Sequence, residues 1–538
     1  MLHCLGIRTL SLFTAWIAAA LPLAAQGTPP PLLRPVGNPP AAAIAWDAAE
    51  RARSPMVARS GFVRIDTAAL AALPLGGAPP LGTFTLDLFE TPVLLEVTSM
   101  AWTLGYRVFH GHVPGQPGSV HITVAGSGAV WGSIDVGSES FVLAHTGITD
   151  VHVLQRIDHA LLPLHMRCGT DNTHAIAAAP TVGIDNTNSD CGRTTIDVLV
   201  GYTPRARTNA GGTAAMEAAI VGAIAQANSA FLDSGVVMEF RLVHMAETNY
   251  TELGSSTDLY RFQTDLDGYM DEVFTLRTTY GADLMHLITD PASAQYCGIG
   301  FLMTSLSTGF ASNAFAVTVR TCIANRSFTH ECGHNMGCHH DAANAGAAIY
   351  PYAYGYRTPD NAYRTIMAYA PGTRINRWSS PNVQYLGYTM GVAGAADNAM
   401  TLDNTRTTVA QFAATQAPVW CDLGGGIPGA LGKPTLTGAG TINLADPLTL
   451  TVRSYAPNAI GLLIAGASAI NMPLFGGVLV PSLDLPLTIT GNGGDIVHNA
   501  NWLANLSPGF QAWFQAAFLD LAAVQGFAAS DAVMVTVP

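Results

Sequence analysis

The stretch S-F-T-H-E-C-G-H-N-M-G-C-H-H-D at residues 327–341 decides the fold of this chain. It fills the pattern H-E-x-x-H-x-x-G-x-x-H with His330, Glu331, His334, Gly337 and His340. Histidines four residues apart stand on one face of a helix, where both can bind one zinc ion. Gly337 permits a left-handed turn that brings His340 round as a third ligand. Three protein ligands leave the fourth position open, which is typical of a catalytic zinc site.

Length and charge limit the classes of function. The chain has 538 residues, enough for two to four domains, and its formal net charge is −13. The sequence contains no Lys/Arg cluster of the kind that binds nucleic acid or an anionic membrane surface. After the N-terminus, no uninterrupted run of about 18 apolar residues predicts a membrane span. We therefore expect no nucleic-acid partner and no membrane span. We also expect the protein to be a monomer.

The N-terminus has the pattern of a secretory signal peptide, which we assign to residues 1–26. Arg8 precedes an apolar run that ends in Pro22 and small residues near Ala24. An uncleaved anchor is the alternative, but the run is short for a span. The pattern predicts a secreted, extracellular protein.

The zinc motif resembles that of the metzincin metallopeptidases, and Asp341 directly after the third histidine marks their adamalysin, or reprolysin, branch. This resemblance implies a Met-turn downstream, which T-I-M-A-Y at residues 365–369 supplies. Met367 would then be the apolar floor beneath the three imidazoles. The implied fold is an α/β (α+β) catalytic domain at residues 194–421, with a twisted, mostly parallel sheet and a zinc helix.

The hydrophobic pattern is consistent with that fold. Strand patterns occur at residues 195–203, 237–243 and 282–289, and helix patterns at 213–232, 325–336 and 396–412. Asn325 or Ser327 is the expected N-cap of the zinc helix, and Asp397 that of the closing helix. Residues 309–320 resemble the edge strand along which metzincins bind a protein or peptide substrate in extended form.

The resemblance implies a zinc-dependent endopeptidase with one catalytic Zn²⁺. Zinc would activate a water for attack on the peptide carbonyl, with Glu331 as general base. Tyr369 departs from the usual adamalysin pattern. Astacins and serralysins carry a tyrosine there that can stabilise the oxyanion, so Tyr369 is either that group or an ordinary packed tyrosine.

Residues 27–193 are predicted to form a β-rich propeptide. Short segments in which apolar and polar residues alternate lie between Gly-rich turns, and the amino-acid sequence resembles the propeptides of adamalysin zymogens. Cys168, in M-R-C-G-T, resembles a cysteine switch, whose thiolate binds zinc in the latent form only. Half of an ordinary disulfide is the alternative. Removal of Cys4 from the eight cysteines leaves an odd number, and setting one switch thiol aside leaves enough for three bridges, so the count favours the switch.

The remaining cysteines are disulfide candidates in a secreted protein. Cys297 and Cys322 flank the predicted edge strand and are the first pair. Cys332 and Cys338 are expected to pair next, which leaves Cys191 with Cys421. Six cysteines allow fifteen patterns, so the connectivity stays open.

Residues 422–538 begin with a Gly-rich linker, after which apolar and polar positions alternate as in a small, sandwich-like all-β domain. Its role in surface attachment, sorting or substrate docking is open. The sequence contains no dense cluster of Asp residues of the kind that binds calcium, so we predict no calcium site. Two other classes of function also stay open: a non-catalytic binding protein that keeps the fold, and a zinc hydrolase acting on a non-peptide bond.

The segments around the Met-turn are similar to bacterial secreted reprolysin-like and peptidyl-Asp metalloendopeptidase sequences. This similarity implies a preference for Asp next to the scissile bond. Residues 374–383 would form the wall of the pocket for the residue after that bond. Three arginines are candidates for binding the side chain of this Asp, on the basis of their proximity alone: Arg320, Arg374 and Arg377.

Overall fold

A computed structural model describes residues 28–537, with gaps at 74–78, 90–91, 149, 164–165, 171–192, 415–418, 431, 440–447, 454–457, 475, 491–495, 501–505, 508 and 524–525. The predicted signal peptide, with Cys4, lies outside the described residues, and so does Cys191. The remaining chain forms three successive groups of strands.

The first group is a nine-stranded sheet in the order β1-β2-β9-β8-β7-β6-β5-β4-β3, with every pair antiparallel. Its elements are β1 (Leu33–Pro35), α1 (Ala41–Arg53), β2 (Val57–Ile65), α2 (Thr67–Ala71), β3 (Gly82–Asp87), β4 (Pro92–Thr103), β5 (Tyr106–His112), β6 (Val120–Val124), β7 (Val130–Val136), β8 (Glu139–His145) and β9 (His152–Ile157). The Leu32 N–H donates to the Thr85 carbonyl at 3.0 Å, so the two ends of the sheet meet around an apolar core. We call this unit the N-terminal sheet.

The second group carries the zinc motif. Its elements are β10 (Thr194–Tyr202), α3 (Pro204–Ala210), α4 (Thr213–Asp233), β11 (Met238–Glu247), α5 (Ser256–Gln263), α6 (Glu272–Tyr280), β12 (Leu284–Thr289), β13 (Gly298–Gly300), β14 (Phe315–Val319), α7 (Ser327–Asn335), β15 (His339–Asp341), β16 (Tyr354–Gly355), β17 (Tyr363–Arg364), β18 (Thr373–Arg374), β19 (Gln384–Tyr385), β20 (Tyr388–Thr389) and α8 (Asn398–Val409). The main sheet has the order β11-β10-β12-β14-β13, with only β13 antiparallel. A mostly parallel sheet is what the alternation of strands and helices predicted.

The prediction that residues 309–320 form the edge strand is wrong. Residues 308–313 form a 3₁₀ helix, and β14 pairs on both sides, with β12 and with β13. The free edge next to the zinc helix is therefore β13, Gly298–Gly300. Its three residues, two of them glycine, are too short and too small for the hydrophobic pattern of a strand to show in the sequence.

The zinc helix also begins later than predicted. Residues 320–325 form a 3₁₀ helix, and Arg326 takes the left-handed conformation with φ +62°, which ends that turn. Helix α7 then starts at Ser327, and neither Asn325 nor Ser327 caps it. Asp397 caps α8 as predicted, because its side chain accepts the Met400 N–H at 2.9 Å.

Helix α4 lies between the N-terminal sheet and the main sheet, and residues of all three share one core. It is apolar on nearly all sides, as is typical of a helix buried all round. Among the described residues it is the one helix whose length and composition would also suit a membrane span, but most of it is buried in the protein. Gly222 of α4 packs closely against Trp131 of β7 in the N-terminal sheet, since a Cβ at residue 222 would lie 2.1 Å from the Trp131 ring.

The third group is all-β. Its elements are β21 (Val419–Gly424), β22 (Thr435–Ala439), β23 (Leu448–Arg453), β24 (Ile460–Gly466), β25 (Ala469–Leu474), β26 (Gly477–Pro481), β27 (Leu485–Thr490), β28 (Ile496–Ala500), β29 (Gln511–Leu519), β30 (Phe527–Ala529) and β31 (Ala532–Thr536). A three-stranded sheet, β22-β23-β28, shares an apolar core with a six-stranded sheet that contains β24, β29 and β31.

Gly222→Leu should separate the N-terminal sheet from α4, because the new side chain has no space against Trp131. Overpacking of this kind costs about 1–3 kcal/mol. Urea unfolding should show the loss of stability. Gly126→Leu, in the turn between β6 and β7, is the control, since a Cβ there meets nothing within 4 Å. Equal stability of the two variants would contradict the packing described here.

Candidate active site

Helix α7 ends in a turn that requires glycine. The Gly337 N–H donates to the His334 carbonyl at 3.0 Å. The Cys338 N–H donates to the Gly333 carbonyl at 2.9 Å, which completes a Schellman motif. Gly337 has φ +90°, a conformation that a residue with a Cβ rarely adopts. The turn leads the chain into β15, which carries His340.

Two carbonyl groups orient the helix histidines. His330 Nδ1 lies 2.8 Å from the Ile366 carbonyl, and His334 Nδ1 lies 2.8 Å from the Cys338 carbonyl. Because a carbonyl can only accept, each Nδ1 carries the proton and each Nε2 keeps a free lone pair. This is the tautomer that metal-binding histidines use when a second group fixes the ring.

The free lone pairs converge on one point. His334 Nε2 lies 3.0 Å from His340 Nε2, and His330 Nε2 is buried without a hydrogen-bond partner. The ligand atoms of these histidines and of Cys168 all lie within 4.8 Å of one another. Burial keeps the imidazoles neutral: it lowers the pKa of His340 to about 3 and holds the pKa of His330 and His334 well below the usual range. A neutral, unpaired donor set of this kind fits a zinc ion.

Cys168 reaches the same point from the N-terminal part of the chain. Its Sγ lies 3.4 Å from His334 Nε2, 3.2 Å from Glu331 Oε2 and 2.7 Å from Thr170 Oγ1. Burial and the neighbouring Glu331 carboxylate raise the pKa of this thiol well above its ordinary value. The thiol is not in a disulfide.

The segment around Cys168 lies along the free edge of the main sheet. The Gly169 N–H donates to the Gly298 carbonyl at 2.9 Å, and the Cys297 N–H donates to the Arg167 carbonyl at 3.4 Å. The segment therefore occupies the edge where an extended peptide would add as a strand.

Glu331 stands beside the histidine cluster and is fully buried. Burial raises the pKa of its carboxyl to about 8, although hydrogen bonds from Cys168 and Thr170 act in the opposite direction. Gly298 allows the carboxylate this position, because a Cβ at residue 298 would lie 2.5 Å from Glu331 Oε1.

Met367 and Asp341 hold the Met-turn against the zinc helix. Met367 is fully buried, and its Sδ would lie 3.0 Å from a Cβ placed on Gly333. Asp341 accepts the Tyr369 N–H at 2.9 Å and forms an ion pair with Arg357 at 3.3 Å. The residue after the third histidine thereby fixes the turn beneath the first two.

The Tyr369 hydroxyl points into the site. It donates to the Cys168 carbonyl at 3.1 Å, and its ring lies 4.2 Å from the His340 ring, centre to centre. The Arg167 guanidinium covers the ring at 5.2 Å. The Cys168 carbonyl oxygen accepts this hydrogen bond from Tyr369 in the way that the oxyanion of a bound substrate would. The oxyanion role remains a prediction.

A pocket opens beside His330 and Glu331. It is lined by Leu162, Met166, Arg167, Cys168, Cys297, Asn325, Ser327, His330, Glu331, Arg364, Tyr369, Ala370 and Arg374. Leu162, Met166, Arg167 and Cys168 contribute to this lining, and Arg167 belongs to the segment that is hydrogen-bonded to the sheet edge. Only about 20 Å³ remains free, roughly the space of one water molecule.

The structure separates the three candidate cations. Arg320 is buried in ion pairs with Glu50 at 2.5 Å and Asp290 at 2.8 Å, and Arg377 pairs with Asp233 at 2.7 Å. Neither lines the pocket. Arg374 does, together with Arg364, which the sequence analysis missed.

Two of the expected cysteine pairings can be assessed. Cys297 and Cys322 form a disulfide bond, which confirms the first pair. Cys421 is also disulfide-bonded. Its predicted partner, Cys191, lies outside the described residues.

The predicted Cys332–Cys338 bond is wrong, since both cysteines are free and buried. Cys332 projects from α7 toward the main sheet, where its Sγ lies 3.4 Å from His286 Nδ1. Cys338 lies beyond the Schellman turn and points at the Asn398 carbonyl of α8, 3.8 Å away. The turn sends the two thiols to different neighbours.

Comparison with known proteins agrees with this geometry. Residues 192–379 match the family described as "Metallo-peptidase family M12". A "Peptidyl-Asp metalloendopeptidase" of Stenotrophomonas maltophilia is 35% identical over 306 residues, which cover 55% of this chain and 71% of the relative. A protein of the same name from Xanthomonas campestris is 40% identical over 224 residues, covering 40% of this chain and 52% of the relative.

The crystal structure of metalloproteinase-II from Bacteroides fragilis aligns with a TM-score of 0.32 at 13% identity, covering 51% of this chain and 84% of that one. This overlap is too low for a comparison of sites. The curated relatives favour a peptidase over a binding protein or a hydrolase of other bonds. The chain belongs to metallopeptidase family M12, as a reprolysin-like metzincin, and is a zinc metalloendopeptidase.

Proposed function

We propose that this chain is a secreted endopeptidase, made as a latent zymogen, in which His330, His334 and His340 hold one Zn²⁺. The observation that carries the proposal is the convergence of three neutral imidazoles and one thiol on a single point beside a buried carboxylate. Among the described residues, His330 Nε2 has no hydrogen-bond partner, and His334 Nε2 contacts only Cys168 Sγ and His340 Nε2.

Bound zinc supplies Lewis acidity, which polarises a peptide carbonyl and favours the deprotonated form of water. Glu331 serves as the general base. Its carboxylate takes a proton from the attacking water, whose oxygen bonds to the carbonyl carbon, and delivers that proton to the amine nitrogen as the C–N bond breaks. Tyr369 would donate a hydrogen bond to the carbonyl oxygen as negative charge develops there; the hydrogen bond from its hydroxyl to the Cys168 carbonyl supports this role.

Latency follows from the segment that carries Cys168. Its thiol takes the position next to His334 where the water would bind, and its backbone takes the sheet edge where the substrate would bind. We assign residues 27–193 to the propeptide, 194–421 to the peptidase and 422–538 to a C-terminal β domain. Residues 1–26 would direct secretion, and the C-terminal domain could hold the enzyme at a cell surface.

The substrate class is taken from the curated relatives, which are named for peptidyl-Asp cleavage. We propose that this chain cleaves proteins next to Asp, with the substrate extended along Gly298–Gly300.

Glu331→Ala should lower casein hydrolysis at least about 100-fold, the usual contribution of a general base. Zinc content measured by elemental analysis should stay near one ion per chain, because the three imidazoles remain. Glu331→Gln, which keeps the volume of the side chain, should behave in the same way. Hydrolysis retained by both variants would remove Glu331 from the mechanism.

Cys168→Ser should make the uncleaved precursor active, because a serine hydroxyl binds zinc far more weakly than a thiolate. The assay is peptide hydrolysis by full-length protein, with its length checked on the same gel. Cys332→Ala is the matched control: this thiol is also free but faces the main sheet, so the precursor should stay latent. A Cys168→Ser precursor as inactive as the control would rule out the switch.

A further inference from the structure

The pocket beside Glu331 contains two buried arginines without carboxylate partners. Arg364 donates from Nε to the Gly372 carbonyl and from Nη1 to the Ala368 carbonyl, both at 2.8 Å. Arg374 donates from Nη1 to the Asn325 carbonyl at 2.9 Å and from Nη2 to the same Ala368 carbonyl at 3.2 Å. Neither forms an ion pair within the part of the chain that the structure describes.

Both guanidinium groups therefore lack an ion-pair partner among the described residues, although Glu331 attracts Arg374 and Asp341 attracts Arg364 electrostatically. Carbonyl groups satisfy N–H donors but do not neutralise a guanidinium, and a buried charge without a counter-ion is costly. Arg374 also keeps a buried Nε without a hydrogen-bond partner. Burial, with repulsion from neighbouring arginines, lowers the pKa of Arg374 to about 10 and that of Arg364 well below its usual range.

The remaining space of the pocket is taken by residues of the inhibitory segment. Leu162 and Met166 line it together with Arg167. All three lie on the N-terminal side of Cys168 and would leave with the propeptide. The pocket that they vacate would keep Glu331, Tyr369 and two guanidinium groups in its wall.

We infer that Arg374, supported by Arg364, is the specificity-determining cation that pairs with an acidic side chain on the residue after the scissile bond. This inference rests on the proposed peptidase function and deepens it. A guanidinium matches a carboxylate through paired N–H donors. The unpaired Nε of Arg374 supplies a donor that no other described group uses. A short acid such as Asp would complete the hydrogen bonds and neutralise part of the charge.

The test compares two peptides that differ only in Asp or Asn after the scissile bond. The processed enzyme should prefer Asp by about tenfold or more in kcat/KM, the worth of a hydrogen bond between charged groups. Arg374→Gln should remove most of this preference while cleavage of the Asn peptide continues. Arg374→Lys should keep part of it, because the charge remains but the paired donors do not.

Arg377→Gln is the matched control, since Arg377 pairs with Asp233 outside the pocket and the Asp/Asn ratio should not change. A purely structural role of Arg374 would lower both rates equally. Binding provides a readout without turnover. In the Glu331→Gln background, the Asp peptide should bind about tenfold tighter than the Asn peptide, and adding Arg374→Gln should abolish the difference.

The outcomes separate the two claims. Equal cleavage of both peptides by the wild type, or an Arg374→Gln variant that keeps the Asp preference, would overturn the assignment and leave the peptidase proposal standing. Equal loss of both activities in Arg374→Gln, with no change in their ratio or in relative binding, would also overturn it. Cleavage of neither peptide by the processed wild type would overturn the proposed function and this assignment together.

Discussion

The active site depends on one constraint: the Nε2 atoms of three histidines must face one point while their other nitrogens are held from behind. Helix α7 supplies two of them at the right spacing, and the Schellman turn at Gly337 supplies the third. The carbonyls that fix the rings come from the Met-turn and from the Schellman turn itself. The proposed metal-binding geometry therefore requires both turns to fold around the helix. The H-E-x-x-H motif alone would supply neither the third histidine nor the carbonyls that orient the rings.

The N-terminal sheet is joined to the peptidase by more than the Cys168 segment. Helix α4 is buried between the two sheets, and its apolar face toward the N-terminal sheet would meet water if that sheet left. Buried ion pairs also cross the boundary, between Arg326 and Asp135 at 2.6 Å and between Arg320 and Glu50. Breaking such a pair by removing one partner typically costs about 3–5 kcal/mol. A single cut between the two units would leave these contacts in place. Under the proposed latency, activation would therefore require dissociation as well as cleavage.

Much of the site could be predicted because its chemistry is encoded locally. The zinc motif, Asp341 and Met367 lie in short stretches whose spacing carries the geometry, and the parallel strands are long, buried and apolar. The errors arose where tertiary context decides. The three-residue β13 has no recognisable pattern, and Arg326 breaks the chain before α7 through a left-handed conformation that sequence does not reveal. The free thiols of Cys332 and Cys338 show that nearness along the chain does not bring two side chains to the same side of a turn.

Arg364 could not have been identified by the same route, because nothing in its local sequence marks it as part of a pocket. Only the fold brings it to Arg374 and Arg326. Burial, together with repulsion among the three arginines, lowers the pKa of Arg364 and of Arg374. In the full chain, Asp135 of the N-terminal sheet pairs with Arg326, and apolar residues of the segment before Cys168 line the pocket. Departure of the N-terminal sheet would therefore withdraw a carboxylate and vacate the pocket in one step. Latency and acid recognition would then depend on the same three arginines. The segment before Cys168 would cover them in the latent form, and a substrate carboxylate would neutralise part of their charge in the active form.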